Sequence, residues 1–322
     1  MMNGQSPHVS LGLPVYNGER YLRYALDAVL AQTFEDFELI ICDNASTDAT
    51  EVICREYVAR DARIRYHRNA QNLGAGPNYN RTFDLSRGQY FKWMAHDDLL
   101  APEFLSYCVG LLDRQPDAVL CQGQTVFIDP DGQGLRYDPI HCRFFDRLGR
   151  GYRKPEFLPK LQASDPASRY GEVLFKMRWC FEVFGLIRAD VLQRTSLIGP
   201  YYGSDKVLLA ELSLMGRLVQ LPEPLFFRRC HAEQSSFARA KTGAWIATQT
   251  KFPPLGGFGK FIFPRVMCTL GYGRAIFKTP LSWDERGRCL WTLLRWLLKV
   301  NHWHRFAAEI DRQSRHTRQR HV

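Results

Sequence analysis

The chain has 322 residues, 45% of them apolar, which is enough for one large α/β domain or two smaller ones around a substantial core. Its nine cysteines show neither CxxC spacing nor a paired framework, and no charged start with an apolar stretch precedes the first strand pattern, so a disulfide scaffold, a structural zinc site and a leader are disfavoured and a cytosolic setting is expected. The net charge of +10 is uneven: basic and acidic residues balance at 29 each over residues 1–250, whereas residues 251–322 carry 14 against 4, which marks an appended surface and not a nucleic-acid-binding core.

Residues 9–13 read as a buried strand stopped at Pro14-Val15-Tyr16-Asn17-Gly18, after which Tyr21, Leu22, Ala25, Leu26, Val29 and Leu30 recur at helical spacing. A second strand over 37–42 ends in Asp43-Asn44-Ala45-Ser46, and a helix capped at Thr47 or Asp48 runs to about Ala59. A short third strand covers 64–67, a helix 77–85, and a fourth strand, 90–94, leads into Ala95-His96-Asp97-Asp98. Ala101-Pro102-Glu103 opens another helical pattern, and residues 119–123 begin a fifth strand. Strands alternating with helices in this way predict a mainly parallel, doubly wound sheet with right-handed crossovers. Ligands of such sheets bind beyond the C-terminal strand ends, where Tyr16, Asp43 and Asp97-Asp98 all fall.

The second half is less regular. Asp131-Gly132 signals a hairpin turn, residues 137–161 lack periodicity, 181–187 read as a strand and 189–194 as a helix. A Gly/Pro-rich loop over 199–203 delivers Asp205 just ahead of a helix over 207–215, and residues 218–231 read as strand, turn and strand ending in Arg228, Arg229 and His231. In the tail, residues 287–300 form a helical pattern with Arg288, Arg295 and Lys299 on one face and Leu and Trp elsewhere. It is too short, and too interrupted by Arg295, for a bilayer span of ~20 residues. It reads either as an interfacial helix attracted to anionic lipid or as a core helix packed on the rest of the chain.

Asp97 and Asp98 place two carboxylates side by side, a pattern suited to a hard divalent cation such as Mn²⁺ or Mg²⁺ that keeps part of its coordination for a ligand. The alternative for Asp98 is a helix cap. No GxGxxG follows the first strand and no GxxxxGK[ST] occurs, which disfavours dinucleotide and P-loop enzymes. A nucleotide would then be held by carboxylates and a metal and not by a glycine cradle.

Pro14-x-Tyr16-Asn17-Gly18, Ala25-x-x-Ala28-Val29-Leu30-x-Gln32-Thr33, Phe37-Glu38-Leu39-Ile40-Ile41-x-Asp43-Asn44-x-Ser46-x-Asp48, Asn72-Leu73-Gly74 with Asn80, and the Asp97-Asp98 pair together resemble family 2 glycosyltransferases over residues 8–235. The resemblance implies a GT-A fold, a nucleotide-diphosphate sugar donor (UDP by default, GDP and dTDP open), a divalent metal and inversion at the anomeric carbon. On that basis Pro14, Tyr16, Asn17, Asp43, Asn72, Gly74 and Asp97 would bind the donor, with Tyr16 stacking on the base and Asp43 meeting base or ribose. Tyr16 and Asp43 have turn-forming alternatives, and Asn72 and Gly74 have a loop-shaping one. Asp98 would ligate the metal with His231, Arg228 or Arg229 would hold the diphosphate, and Asp205 would act as general base. Many relatives carry a further aspartate where this chain has Ala95, which leaves Asp98 as the principal ligand.

The expected organisation is a GT-A catalytic domain over residues 1–250, divided into a nucleotide-sugar half (8–125) and an acceptor half (126–250), and a basic helical extension over 251–322. The acceptor would be a saccharide or lipid-linked saccharide, with an anionic membrane surface as a further partner and no nucleic acid. Trp179, Phe181 and Glu182 fit either a sugar platform or core packing, and residues 232–241 are expected to close over the donor. The rival readings are a catalytically silent binding protein on the same fold and a nucleotidyltransferase, although residues 13–19 lack the basic glycine-rich loop of the latter.

Overall fold

The computed structural model of the protein describes residues 6–147, 149–153, 158–231 and 259–299. The first part alternates β1 (Val9–Val15), α1 (Leu22–Leu30), β2 (Phe37–Asp43), α2 (Thr50–Arg60), β3 (Ile64–Arg68), α3 (Ala75–Asp84) and β4 (Tyr90–Trp93). There follow β5 (Leu99–Leu100), α4 (Phe104–Arg114), β6 (Ala118–Gln122), β7 (Thr125–Ile128), β8 (Arg136–Asp138), β9 (Arg143–Phe145), β10 (Gly151–Arg153) and α5 (Pro166–Phe175). The rest comprises β11 (Leu186–Arg188), α6 (Ala189–Gln193), α7 (Ser204–Met215), β12 (Arg217–Gln220), β13 (Phe226–Arg229), α8 (Gly259–Lys278) and α9 (Trp283–Leu298).

The central sheet has the order β12-β6-β11-β4-β1-β2-β3. Its pairs are parallel except at β11, which runs antiparallel to both β4 and β6. Every residue of β1 and β2 is buried, as a parallel strand covered on both faces requires. Gly12 in β1 admits α3: a Cβ there would lie 2.6 Å from the Phe91 ring and collide with Thr82. This approach holds α3 down on the sheet and its N-terminal loop at the sheet's C-terminal edge. Two small sheets, β5-β13-β7 and β10-β9-β8, cap that edge.

Two elements depart from the expected pattern. The apolar run over 181–187 is not one strand: Phe181–Phe184 form a 3-10 turn and only Leu186–Arg188 pair. Gly185 separates them, threading so closely past β6 that a Cβ would sit 2.8 Å from Leu120. An apolar run of that length carries no period that distinguishes the two conformations. Leu99–Leu100, expected to lead into a helix, form β5 by pairing with Phe227 and Phe226 of β13, far away in sequence. Helix α4 begins at Phe104, and Asp98 does not cap it.

Lys92 in β4 is fully buried beneath the site, with its Nζ donating to the carbonyls of Trp93 and Phe184 and lying 4.5 Å from the Phe104 ring centroid. Burial lowers its pKa to about 7, because a low-dielectric interior disfavours the ammonium. The folded-state value therefore lies below the unfolded one, so the folded state binds fewer protons between about 7 and 10.5 and stability rises with pH through that window. Lys92→Met is expected to remove a slope of up to about 1.4 kcal/mol per pH unit. The difference between wild-type and variant urea midpoints from pH 6 to about pH 9 measures it, and parallel curves would contradict it.

Helices α8 and α9 complete the core on the far side of α5 and α7. Tyr272, Ala275, Ile276, Cys289, Leu293 and Trp296 are buried in one apolar cluster with Tyr170, Val173, Val207 and Leu208. A capping box of Ser282 and Glu285 starts α9. Its basic face stays exposed along the seam with α5, where Arg288 pairs with Asp165 at 3.0 Å and Arg295 and Lys299 lie over the Phe175 ring. Cys289, Leu293 and Trp296 give α9 the packing role, the second of the two open to this helix. No described helix is long and apolar enough to cross a membrane.

Candidate active site

The loops that leave β1, β2 and β4 at their C-terminal ends meet beside β13. Tyr16 follows β1 with its side chain about half exposed (46%), so its ring is free to stack on a ligand. Pro14 lies within β1 opposite Cys42. Asn17 adopts a positive φ of 51° and stitches the two loops together, its amide N–H donating to Ser46 Oγ and its Oδ1 accepting from Thr47 N, both at 2.9 Å.

Asp43 is fully buried, and its oxygens accept from Ser46 N (2.9 Å) and the Tyr66 hydroxyl (2.7 Å). Asn72 Oδ1 accepts from Asn44 Nδ2 and from Gly74 N, each at 2.8 Å, while Gly74 takes φ 86° at the start of α3. These three residues shape the loops, the alternative weighed for each from sequence. Asn44, Asn69 and Asn78 join them: Asn69 Nδ2 donates to the side chains of both Asn44 and Asn78, and Asn78 Nδ2 donates to Cys42 O. Buried amides can each donate and accept, so they replace backbone pairing where strands give way to loops. Asn69 and Asn78 belong to no motif, and isolated asparagines in turn-rich sequence gave no signal for them.

Asp97 and Asp98 lie under β13. Asp98 is 2% exposed, and its Oδ1 accepts from Arg229 N at 2.9 Å. Burial, with the charge of Asp97 added, pushes the Asp98 carboxyl up to about 7. Burial opposes ionisation of Asp97 too, but the hydrogen bond to His231, with His96, His231 and Arg228 as nearby cations, holds its carboxyl below the usual range. His231 Nε2 lies 2.9 Å from Asp97 Oδ2, and its Nδ1 is buried without a partner among the described residues.

The two arginines divide. Arg229 is 1% exposed; its guanidinium donates to the carbonyls of Asp97, Asp129 and Pro130 and lies over the rings of Tyr21 and Tyr24. It clamps the aspartate loop to the turn after β7. Arg228 points the other way, 4.8 Å from the Phe181 ring centroid, and its charge reaches both aspartates. Alternation along a strand sends adjacent side chains to opposite faces, which the sequence pair by itself did not rank.

Asp205 sits in the first turn of α7 after Gly203, whose φ of 87° suits glycine, and its Oδ1 accepts from Lys206 N at 2.8 Å. Burial raises its pKa, and the Cys180 thiol and backbone N–H donors only partly offset that. The approach is braced from two sides. Asn80 in α3 donates to Ile198 O and accepts from Ile198 N, both at 3.0 Å, and Lys206 Nζ reaches Met177 O at 2.9 Å. Tyr79, one residue before Asn80, has its hydroxyl pKa raised by burial, with smaller contributions from the charges of Asp97, Asp98 and Asp205. Tyr79 was not singled out from sequence; its apolar helical spacing hides it.

A hard divalent cation fits this donor set in part. Two adjacent carboxylates, one of them raised well above its usual range by burial and then by the charge of the other, form a site whose repulsion a cation would relieve. Among the described residues, however, no three His, Cys, Asp or Glu groups cluster to hold a metal. His231 stands at the edge of the carboxylate pair, its Nε2 2.9 Å from Asp97 Oδ2. The remaining coordination would fall to ligand oxygens, as is usual for Mg²⁺. The expected closing segment, 232–241, lies outside the described residues.

Residues 10–169 match the family described as Glycosyl transferase family 2. An uncharacterized glycosyltransferase of Rickettsia felis is 35% identical over 140 residues, 42% of this chain and 22% of that one. Staphylococcus aureus TarS superposes with a TM-score of 0.57 at 15% identity, covering 90% of this chain and 43% of that one, and its 1–349 form in complex with UDP-GlcNAc with a TM-score of 0.51. The mannosyltransferase PcManGT of Pyrobaculum calidifontis, in complex with GDP-Man and Mn²⁺, superposes with a TM-score of 0.52 at 15% identity over 95% of this chain and 86% of that one. The fold is GT-A, and the protein belongs to the family 2 glycosyltransferases through the domain that begins at β1. The chain spans only about a fifth of the Rickettsia felis relative's length.

Proposed function

We propose that the protein transfers a sugar from a nucleotide-diphosphate sugar to an acceptor hydroxyl with inversion. The observation that carries this reading is the pair Asp97 and Asp98 beyond the C-terminal end of β4, held against β13 with Arg229 N 2.9 Å from Asp98 Oδ1 and His231 Nε2 2.9 Å from Asp97 Oδ2. In the mechanism it supports, the acceptor oxygen forms a bond to the anomeric carbon as the bond to the diphosphate oxygen breaks. The acceptor proton passes to the Asp205 carboxylate, whose burial makes it a stronger base than an exposed aspartate. Arg228 holds the diphosphate, Tyr16 stacks on the base, and His231 keeps Asp97 ionised and oriented toward the ribose. A Mn²⁺ or Mg²⁺ ion at Asp98 and Asp97 would supply charge neutralisation at the departing diphosphate.

TarS with UDP-GlcNAc and PcManGT with GDP-Man make UDP and GDP sugars the first donors to test, with dTDP sugars next. Calorimetric titration of UDP, GDP and dTDP with Mn²⁺ and with EDTA tests the reading. Metal-dependent binding of one nucleotide supports it, and binding of none opposes it. Nucleotide binding without donor turnover would favour a silent binding protein, the reading that Ala95 keeps open.

A polysaccharide or glycolipid acceptor on the inner face of a membrane is part of the same proposal. The outward side of the C-terminal helices carries Leu270, Phe277, Leu290, Trp291, Leu294 and Leu298, all exposed. Arg286 lies against both Phe277 and Trp283, joining the two helices' outer rims. The 14 to 4 basic excess of residues 251–322 is complementary to an anionic bilayer, which takes such apolar surfaces at its headgroup boundary. The protein is expected to sediment with phosphatidylglycerol-containing vesicles and not with pure phosphatidylcholine, and Trp291→Glu with Leu294→Glu to weaken this about tenfold. Equal sedimentation of the variant would remove the membrane from the proposal.

A further inference from the structure

Between α5 and β11 the chain exposes an aromatic side chain that packing does not account for. Trp179 is 39% exposed, yet its ring is aligned: it lies parallel to Phe181, at an interplanar angle of 4° and a centroid separation of 5.8 Å. Phe181 is itself immobilised, 7% exposed in a cluster with Phe127, Tyr152 and Cys230. The indole therefore stands on a rigid base with part of its surface open.

Its neighbours fix where that surface lies. Met177, two residues before it, accepts through its carbonyl from Lys206 Nζ at 2.9 Å, which joins this segment to the turn that carries Asp205. Phe181, two residues after it, lies 4.8 Å from the guanidinium carbon of Arg228, whose charge acts on Asp97 and Asp98. Trp179 thus stands between a backbone anchored to Lys206, next to the base, and a ring that carries the arginine beside the paired aspartates. Tyr16, an exposed aromatic of the same edge, belongs to the loop after β1 and is suited to the nucleobase. The two aromatics come from opposite halves of the sequence, as a donor and an acceptor platform would.

We propose that Trp179 is the acceptor platform: a neutral pyranose ring lies with its C–H face on the indole and directs a hydroxyl toward Asp205. The ring's apolar face is removed from water against an aromatic surface that is already ordered, so little side-chain entropy is lost on binding. The hydroxyl rim stays toward polar groups. This inference deepens the glycosyltransferase reading and rests on it.

Methyl glycosides of glucose, galactose, mannose and N-acetylglucosamine are titrated against wild type, Trp179→Ala and Trp179→Phe by saturation-transfer NMR, with UDP and GDP plus Mn²⁺ titrated in parallel. At least one glycoside is expected to bind wild type with saturation strongest on one ring face. Its affinity falls about five- to tenfold in Trp179→Ala and is restored to within about twofold in Trp179→Phe. Nucleotide affinity stays at the wild-type value, which also reports that the variants are folded. Unchanged glycoside affinity in Trp179→Ala, or nucleotide binding with no glycoside bound to wild type, overturns the platform and leaves the transferase reading standing. Absence of nucleotide binding in wild type fails that reading separately.

Discussion

Asp205→Asn is expected to lower sugar transfer by about a thousandfold while leaving nucleotide affinity within about twofold of wild type. The substitution keeps shape and the acceptor oxygen that takes Lys206 N, so the first turn of α7 and its preceding loop stay as they are. What disappears is the carboxylate proposed to take the acceptor's proton. Steady-state kinetics with calorimetry checks this, and a rate within tenfold of wild type would remove Asp205 from the role of base. The pH profile provides an independent reading. A base must be deprotonated to act, and burial raises the Asp205 pKa above the ordinary value of 3.8. Wild-type turnover therefore declines on the acid side at a higher pH than an exposed aspartate would give, and the residual rate of the variant lacks that limb.

Asp98→Asn is expected to abolish metal-dependent nucleotide binding, a loss of at least about a hundredfold, without lowering thermal stability. Asparagine retains an oxygen to accept from Arg229 N. It removes one of two buried like charges, whose repulsion is the second cause, after burial, of the raised Asp98 pKa. Function and stability thus oppose each other at this residue, as is common where a site assembles like charges for a ligand. Titration with Mn²⁺ and thermal unfolding of the same preparation measure both arms. Wild-type affinity in the variant would exclude Asp98 as the cation's carboxylate, and a large fall in melting temperature would give it a structural task.

Much of the donor half was legible because its signals are local. Strands β1 and β2 are apolar runs, α1 repeats apolar residues at helical spacing, and Tyr16 follows β1, Asp43 ends β2 and Asp97 lies just beyond β4. Local pattern also exposed Asp205, since a Gly/Pro-rich loop ahead of a helix locates its first turn. The start of α9 had a local signal as well, Ser282 three residues before Glu285, although the helical reading began later, at Gly287.

Where residues had two possible partners, pattern failed. Arg228 and Arg229 are the same residue type in adjacent positions, yet strand pairing buries one as a clamp and turns the other toward Phe181 and the aspartates. Arg288, Arg295 and Lys299 share a helical face by spacing, but only packing against α5 decides that they stay exposed along that seam while Leu293 and Trp296 of the same helix turn inward.

The sequence by itself thus determined the fold class, the strand ends at which ligands are received and the carboxylates available there, because strand and helix periods and turn residues act over a few positions. The tertiary structure alone decided which side chains share the site. Asp98 meets the backbone of Arg229 131 residues away, His231 meets Asp97 across 134, and Asn80 steadies the loop of Asp205 through Ile198 across 118. Such contacts depend on how closely the layers pack and on which face each strand turns inward, and no local spacing encodes either.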